Sequence, residues 1–339
     1  MPAFNSFIRS LNVFTEDALT NLDKCYDDAS NATTVKQITE ALNDAASIII
    51  RMPPNPILFS RTKNLHELPY SVLDARRGIH VVRSVFANEV YKLRARNVNN
   101  KSKMLQTYLD DGVVVLTDFL GTNDDLIKEM EQIPVSVNKQ PFNLIKGYNI
   151  KSPARNAPAW NVAFNSKLRD CVFECLMLSE NHADASAQYL NNTFVQRVHN
   201  RPNDGDVQKV MHIDTYYDAM KFWYFPKEVR IEHGPFTISP KSHIMNESRL
   251  MWMQEAYMRY YDKTVGEERS IDHTEGSLRV LPNEIKAMGL DVRSMAVPKD
   301  TLIISNVFGF HGRGEAGVET IRDAIHGSIR LNSPFDNEM

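Results

Sequence analysis

The chain has 339 residues, 42% of them hydrophobic and 24% charged, a size and balance that describe a core-burying globular protein and exclude wholesale disorder, collagen-like repeats and coiled coils. With 39 Lys and Arg against 42 Asp and Glu, the formal charge is −3. No long basic run stands out, which argues against a polyanion-binding surface and hence against nucleic acid as a partner.

The N-terminus, MPAFNSFIRSLNVFTEDALT, lacks the charged segment, unbroken apolar stretch and small-residue cleavage site of a secretory signal. No apolar run approaches the roughly 20 residues of a membrane helix, so a cytoplasmic protein without membrane contact is expected. From Asp17 to Ile50, apolar residues recur at three- and four-residue intervals (Leu19, Leu22, Ile38, Leu42, Ala45, Ile49), which predicts amphipathic helices. MPPNP at 52–56 stops that pattern. A further helix is predicted over 72–96, and it dissolves into the polar NVNNKSK. A boundary near residue 100 divides the chain into a helical N-terminal region, 1–100, and a second unit, 101–339. The first hundred residues carry no motif; they pack on the core or mediate self-association, a homodimer being the form considered.

Beyond the boundary, LQTYLDDGVVVLTDFLGTNDDLIKEMEQ reads as a helix, a turn at Gly112, a β-branched strand over 113–116 and a helix opened by the capping residues Thr122 and Asn123. Three cysteines, Cys25, Cys171 and Cys175, cannot build a disulfide framework; the pair at 171 and 175 has helical spacing on an apolar segment and reads as buried thiols. Short apolar or alternating runs follow at 193–198, 210–214, 220–225, 236–238, 301–307 and 324–331, separated by Gly-, Pro- and Asn-rich turns. Strands without regular intervening helices predict an antiparallel sandwich or barrel. The exception is Glu247 to Tyr261, a Met- and aromatic-rich helical insertion that either packs on the sheet or covers a substrate as a lid.

The run Val210-Met211-His212-Ile213-Asp214 alternates, so His212 and Asp214 project to the same side of a strand. One more His from a neighbouring strand would complete the two-His, one-carboxylate facial set that holds ferrous iron and leaves positions open for oxygen chemistry. Ten His and 23 Asp make a lone His-x-Asp an ordinary coincidence. A second stands at His182 and Asp184, and a His-x-Glu at His273 and Glu275, both without strand character. The best third ligand is His311, at the end of the strand-like LIISNVFGF; His243, His326, His199 and His233 compete with it. If 322–331 is a strand, Arg322, Ala324, His326, Ser328 and Arg330 share one face, opposite Ile325, Ile329 and Leu331. That face is either a solvated surface or a pocket lining in which a guanidinium holds a carboxylate by paired hydrogen bonds.

Together these residues resemble the phytanoyl-CoA hydroxylase-like family of iron- and 2-oxoglutarate-dependent dioxygenases, over roughly 105–334. Four pieces carry the likeness: YLDDGVVVLTDFL, HIDTYY, GPFTISPKSH, and DTLIISNVFGFHG followed by Arg322. The second half of the third piece reads SPKSH where the family commonly has Pro-Gly-Ser-His, placing Lys241 at the glycine. The resemblance implies an α+β fold: a double-stranded β-helix, that is a distorted, cupin-like jelly roll, with flanking helices.

Carried over by position, the resemblance makes His212, Asp214 and His311 the iron ligands and gives Arg322 the far carboxylate of 2-oxoglutarate. Trp223 and Ser328 would line the cosubstrate; for Trp223, core packing is the competing role. Cofactors implied are Fe(II), 2-oxoglutarate as cosubstrate and O2, with ascorbate as a reductant such enzymes can use. The implied reaction couples release of succinate and CO2 to oxidation of a C–H bond of a small molecule. Hydroxylation is the default, desaturation or ring closure its variants, and halogenation is disfavoured by the presence of Asp214. Three alternatives stay open: an Fe(II) oxygenase that does not use 2-oxoglutarate, a non-catalytic jelly-roll binding or structural protein, and, remotely, a zinc hydrolase.

Overall fold

The computed structural model describes residues 2–50, 72–121, 124–133, 148–149, 157–202, 205–264 and 277–335. Helices occupy Pro2–Ser10, Glu16–Ser30 and Val35–Ile49. The periodic stretch from 17 to 50 forms two helices, separated where cap residues intervene. Thr15 accepts a hydrogen bond from the Ala18 amide at the first start. Thr34 and Gln37 form a reciprocal capping box at the second. The stretch read as helical over 72–96 is divided as well, into Val72–Arg76 and Ile79–Asn97, at Gly78 with φ of 78°. The MPPNP segment, His273 and Glu275 lie outside the described residues, as do the capping residues Thr122 and Asn123.

Ile79–Asn97 is buried on nearly every side: Ile79, Val82, Phe86 and Val90, but also His80, Arg83, Glu89 and Arg94. Its polar groups are matched across element boundaries. Tyr26 Oη donates to Glu89 at 3.1 Å, Arg94 donates to the Pro334 carbonyl at 3.3 Å, and the Arg83 guanidinium lies 3.5 Å from the centre of the Tyr216 ring. This helix joins the N-terminal helices to the β structure, and one apolar cluster runs continuously from Phe4 and Ile38 through Val85 to Ile213, Phe222 and Ile325.

Among the described residues, the β structure is two antiparallel sheets. One has six strands: β1 (Val113–Leu116), β2 (Tyr148–Asn149), β3 (Thr193–Asn200), β5 (Met220–Phe225), β9 (Thr301–Asn306) and β11 (Thr320–Ile329), in the order β1-β9-β5-β11-β3-β2. The other has five: β4 (His212–Ile213), β6 (Phe236–Ile238), β7 (Leu278–Arg279), β8 (Arg293–Ser294) and β10 (His311–Arg313), in the order β7-β4-β10-β6-β8. From β3 to β6 and from β8 to β11 the chain changes sheet at every strand. The strands over 113–116, 220–225 and 236–238 fall where the sequence pattern predicts them. Only two residues of the 210–214 run pair as strand, and a short 3-10 turn over Val207–Lys209 precedes it. Helices at Pro158–Ala163, Ser166–Leu176 and Ala183–Asn192 cover the region before β3. The second carries Cys171 and Cys175, and all three cysteines are free, with Cys25 and Cys175 buried.

The six-stranded sheet has two unlike faces. Phe222, Tyr224, Ile304 and Ile325 point to the helical side, while Trp223, Phe225, Ile303 and Ala324 meet Phe236 and Ile238 of the second sheet. Trp223 and Phe236 are in ring contact at 4.5 Å. The space between the sheets is therefore lined by the even-numbered residues of β11 and the odd-numbered residues of β5.

Glu247–Thr264 is a helix whose first ten or so residues pack into the interior. Leu250, Trp252, Met253, Ala256 and Tyr257 are buried. Gln254 donates to the Ala75 carbonyl at 3.0 Å, and Trp252 meets Phe310 edge-on at 4.6 Å. Its Met and aromatic content fills the gap between the N-terminal helices and the turn before β10.

Candidate metal centre

β4 and β10 are direct neighbours, with His212 opposite His311. That pairing brings two imidazoles from positions almost a hundred residues apart to a ring separation of 4.5 Å. Asp214 follows β4 immediately, and strand alternation returns its carboxylate to the side of His212. One ligand atom from each of the three residues lies within 4.8 Å of the others, the only such group among the described residues. Asp214 Oδ1 stands 3.5 Å from His212 Nε2, and Oδ2 stands 3.6 Å from His311 Nε2.

The ring orientations are set from behind. His212 Nδ1 is 2.8 Å from the Val210 carbonyl and His311 Nδ1 is 3.0 Å from the Gly309 carbonyl. A carbonyl only accepts, so each Nδ1 carries the proton and each Nε2 presents a lone pair to the centre. His311 Nε2 is buried and has no hydrogen-bond partner. Burial lowers the pKa of His212 well below the usual range, reinforced by the neighbouring His311; burial lowers His311 as well, against the pull of Asp214. Burial alone would raise Asp214, but the Lys221 charge leads the effects that outweigh it and holds the carboxyl well below the carboxylate range. Two neutral imidazoles and one ionised carboxylate, all enclosed, are the donor set of a divalent transition metal with positions to spare. The orphaned, inward-facing Nε2 of His311 fits that group.

The carboxylate has two cationic partners that sequence reasoning did not assign to it. Lys221 Nζ lies 2.5 Å from Asp214 Oδ2, and Arg330 Nη2 lies 2.7 Å from the same oxygen. Ser277 Oγ is 3.5 Å from Oδ1. The available signal for Lys221 was its place two residues before Trp223 in MKFWYF, on the same strand face.

The other residues singled out in the sequence separate clearly. Arg322 is buried on the inner face of β11, donates to the Gly234 carbonyl and lies over the Phe225 ring at 5.9 Å. Burial first, then Arg313, pulls its pKa down to about 9, and no carboxylate pairs with it among the described residues. Trp223 stacks on His326 at 5.0 Å, and Phe236 bridges it to His311 at 6.2 Å. Ser328 is half-buried on the same inner face, opposite Lys221. The competing histidines are occupied elsewhere. His243 is 3.0 Å from the Leu109 carbonyl, His326 is 2.9 Å from the Phe222 carbonyl, and His199 pairs with Glu319 at 2.6 Å. His233 accepts from the Arg230 amide, and His182 caps the Ala183–Asn192 helix.

No family model matches the chain, and no curated protein matches it in sequence. Solved structures with some likeness include the epimerase SnoN in complex with Fe3+, alpha ketoglutarate and nogalamycin RO, at 11% identity and a TM-score of 0.42 over 67% of this chain and 81% of that one. AviO1 from Streptomyces viridochromogenes Tue57 is similar at 10% identity and 0.40, over 68% and 95%. HygX from Streptomyces hygroscopicus with nickel and 2-oxoglutarate bound gives 13% and 0.40, over 68% and 86%. At this level of likeness, the chemistry has to come from the residues of this chain.

Proposed function

We propose that this chain is an Fe(II)- and 2-oxoglutarate-dependent oxygenase of the phytanoyl-CoA hydroxylase-like kind, built on a distorted jelly roll and acting on an unactivated C–H bond of a small molecule. One observation carries the reading: His212, Asp214 and His311 converge from two paired strands with both Nε2 atoms turned inward. When bound there with 2-oxoglutarate and O2, iron supplies an oxidant able to take hydrogen from such a bond, with release of succinate and CO2.

The protein's own residues do the rest. His212, Asp214 and His311 would hold the metal from one side, and the backbone carbonyls of Val210 and Gly309 keep the rings in the ligating tautomer. Arg322, a buried guanidinium without a carboxylate partner among the described residues, takes the far carboxylate of the cosubstrate. Trp223 and Ser328 flank the path between, the indole as an apolar wall and the hydroxyl as a donor. Enclosure by Phe236, Trp223 and Phe225 keeps water from the reacting bond. Hydroxylation is the reaction assigned.

Anaerobic addition of Fe(II) and then 2-oxoglutarate tests the reading. A weak visible charge-transfer band is expected in the wild type and lost in His212→Ala. A wild-type protein that binds Fe(II) yet gives no band with 2-oxoglutarate would point to an oxygenase using another cosubstrate; one that binds no Fe(II) would end the reading.

A further inference from the structure

Resting on that reading, we propose that Lys221 and Arg330 form a subsite for a carboxylate group of the molecule to be oxidised. The two side chains come from adjacent strands: Ser328 of β11 stands opposite Lys221 of β5, and Arg330 follows one residue beyond the end of β11. Their charged ends meet at a single atom, Asp214 Oδ2, at 2.5 Å and 2.7 Å. Asp214 is the one acidic partner either has among the described residues.

Charge carries the argument. One carboxylate serves two cations here before any metal is considered. A divalent ion between His212, Asp214 and His311 makes the imbalance larger. The cosubstrate corrects only part of it, because one of its two carboxylates belongs to Arg322 at the far end of the inner face and the other accompanies the metal. Positive charge still exceeds negative in a partly desolvated place, and uncompensated charge there is costly. A further anion completes the site.

Geometry selects its source and shape. Side-chain exposure falls from 35% at Arg330 to 18% at Lys221 and 6% at Asp214. Arg330 is thus the most solvent-accessible of the three, so an arriving anion reaches its guanidinium before the enclosed Asp214. Arg330 uses one Nη2 hydrogen bond on Asp214, which leaves Nε and Nη1 to grip a planar carboxylate; Lys221 contributes a point charge deeper in. A carboxylate held between them sets the attached carbon chain beside the metal, so the bond attacked is one within a few carbons of that group.

The test uses the full-length protein loaded with Co(II) and saturated with 2-oxoglutarate, whose d–d absorption reports on the metal's surroundings without turnover. Butyrate and its neutral isostere butyramide are the probes. Butyrate is expected to perturb the band saturably and butyramide to leave it unchanged. Arg330→Gln and Lys221→Met should each weaken the butyrate effect roughly tenfold or more. Arg330→Gln alters a rim residue and keeps the test decisive if Lys221→Met fails to fold. The proposal is overturned if acid and amide act alike, or if Arg330→Gln responds to butyrate as the wild type does. It is also overturned if Arg330→Gln instead weakens 2-oxoglutarate by the same factor, which would assign the guanidinium to the cosubstrate. Absence of any wild-type response to Co(II) removes the oxygenase reading and this subsite together, whereas a normal metal and 2-oxoglutarate response with no butyrate effect removes the subsite alone.

Discussion

Single side chains at this centre are defined by what stands behind them. The imidazoles of His212 and His311 turn Nε2 inward because backbone carbonyls occupy their Nδ1 atoms, and Arg322 is buried with no carboxylate paired to it among the described residues. Arg322→Ala should raise the 2-oxoglutarate concentration needed for the charge-transfer band by roughly tenfold or more while leaving Fe(II) affinity near that of the wild type. Titrating the band in both proteins checks this, and an unchanged requirement would remove Arg322 from the cosubstrate's path. Asp218 illustrates the opposite environment. Its Oδ2 is enclosed without a hydrogen-bond partner, and burial raises its pKa to about 6, partly offset by a 2.5 Å hydrogen bond from Asn306 and by the Arg94 charge. Because the folded value lies above the unfolded one, the contribution of Asp218 to stability is complete at low pH. It is lost between about pH 4 and pH 6 as the enclosed carboxyl ionises. Asp218→Asn should therefore gain on the wild type as pH rises through this window, by on the order of 2 kcal/mol; urea unfolding at pH 4.5 and pH 7 measures it, and a pH-independent difference would contradict it.

At the scale of elements, two backbone positions show how closely the inner and outer faces are fitted. A Cβ at Gly327 of β11 would lie 2.2 Å from atoms of the Phe222 ring on the neighbouring strand, and that ring is held from above by stacking on Tyr189 at 5.7 Å. Gly327→Ala should lower stability by about 2–3 kcal/mol through overpacking, read as a fall in the urea midpoint with an unchanged slope; a neutral result would mean Phe222 has room to turn. Lys241 of the SPKSH turn stands at φ of 66°, a lysine held in the left-handed region that more often takes glycine. The Ser242 hydroxyl of this turn accepts from the Phe310 amide at 2.8 Å, just before His311. Arg249 braces the same turn, donating to the Phe308 carbonyl at 2.7 Å from beneath Phe310.

Across the whole molecule, the N-terminal helices and the sheets share one apolar core, and the Ile79–Asn97 helix lies between them. Unfolding in urea should accordingly be one transition, coincident by circular dichroism and by tryptophan fluorescence. A fragment starting at residue 101 should not unfold cooperatively, since it would expose what that helix covers; a cooperative fragment with wild-type Fe(II) affinity would show two independent units. Much of the centre was legible in the chain. Alternation alone puts His212 beside Asp214 and sets Arg322, Ser328 and Arg330 on one face, because side-chain direction in a strand depends only on parity. Helical character in the first hundred residues, and the strands over 113–116 and 220–225, follow from patterns of the same local kind. What periodicity cannot supply is adjacency. That β10 pairs with β4, making His311 rather than His243 or His326 the neighbour of His212, is a long-range pairing within the five-stranded sheet. Long-range packing likewise brings Lys221 and Arg330 to one carboxylate oxygen, and it turns the Glu247–Thr264 helix inward, because the apolar surfaces that decide these contacts lie on strands and helices far apart along the chain.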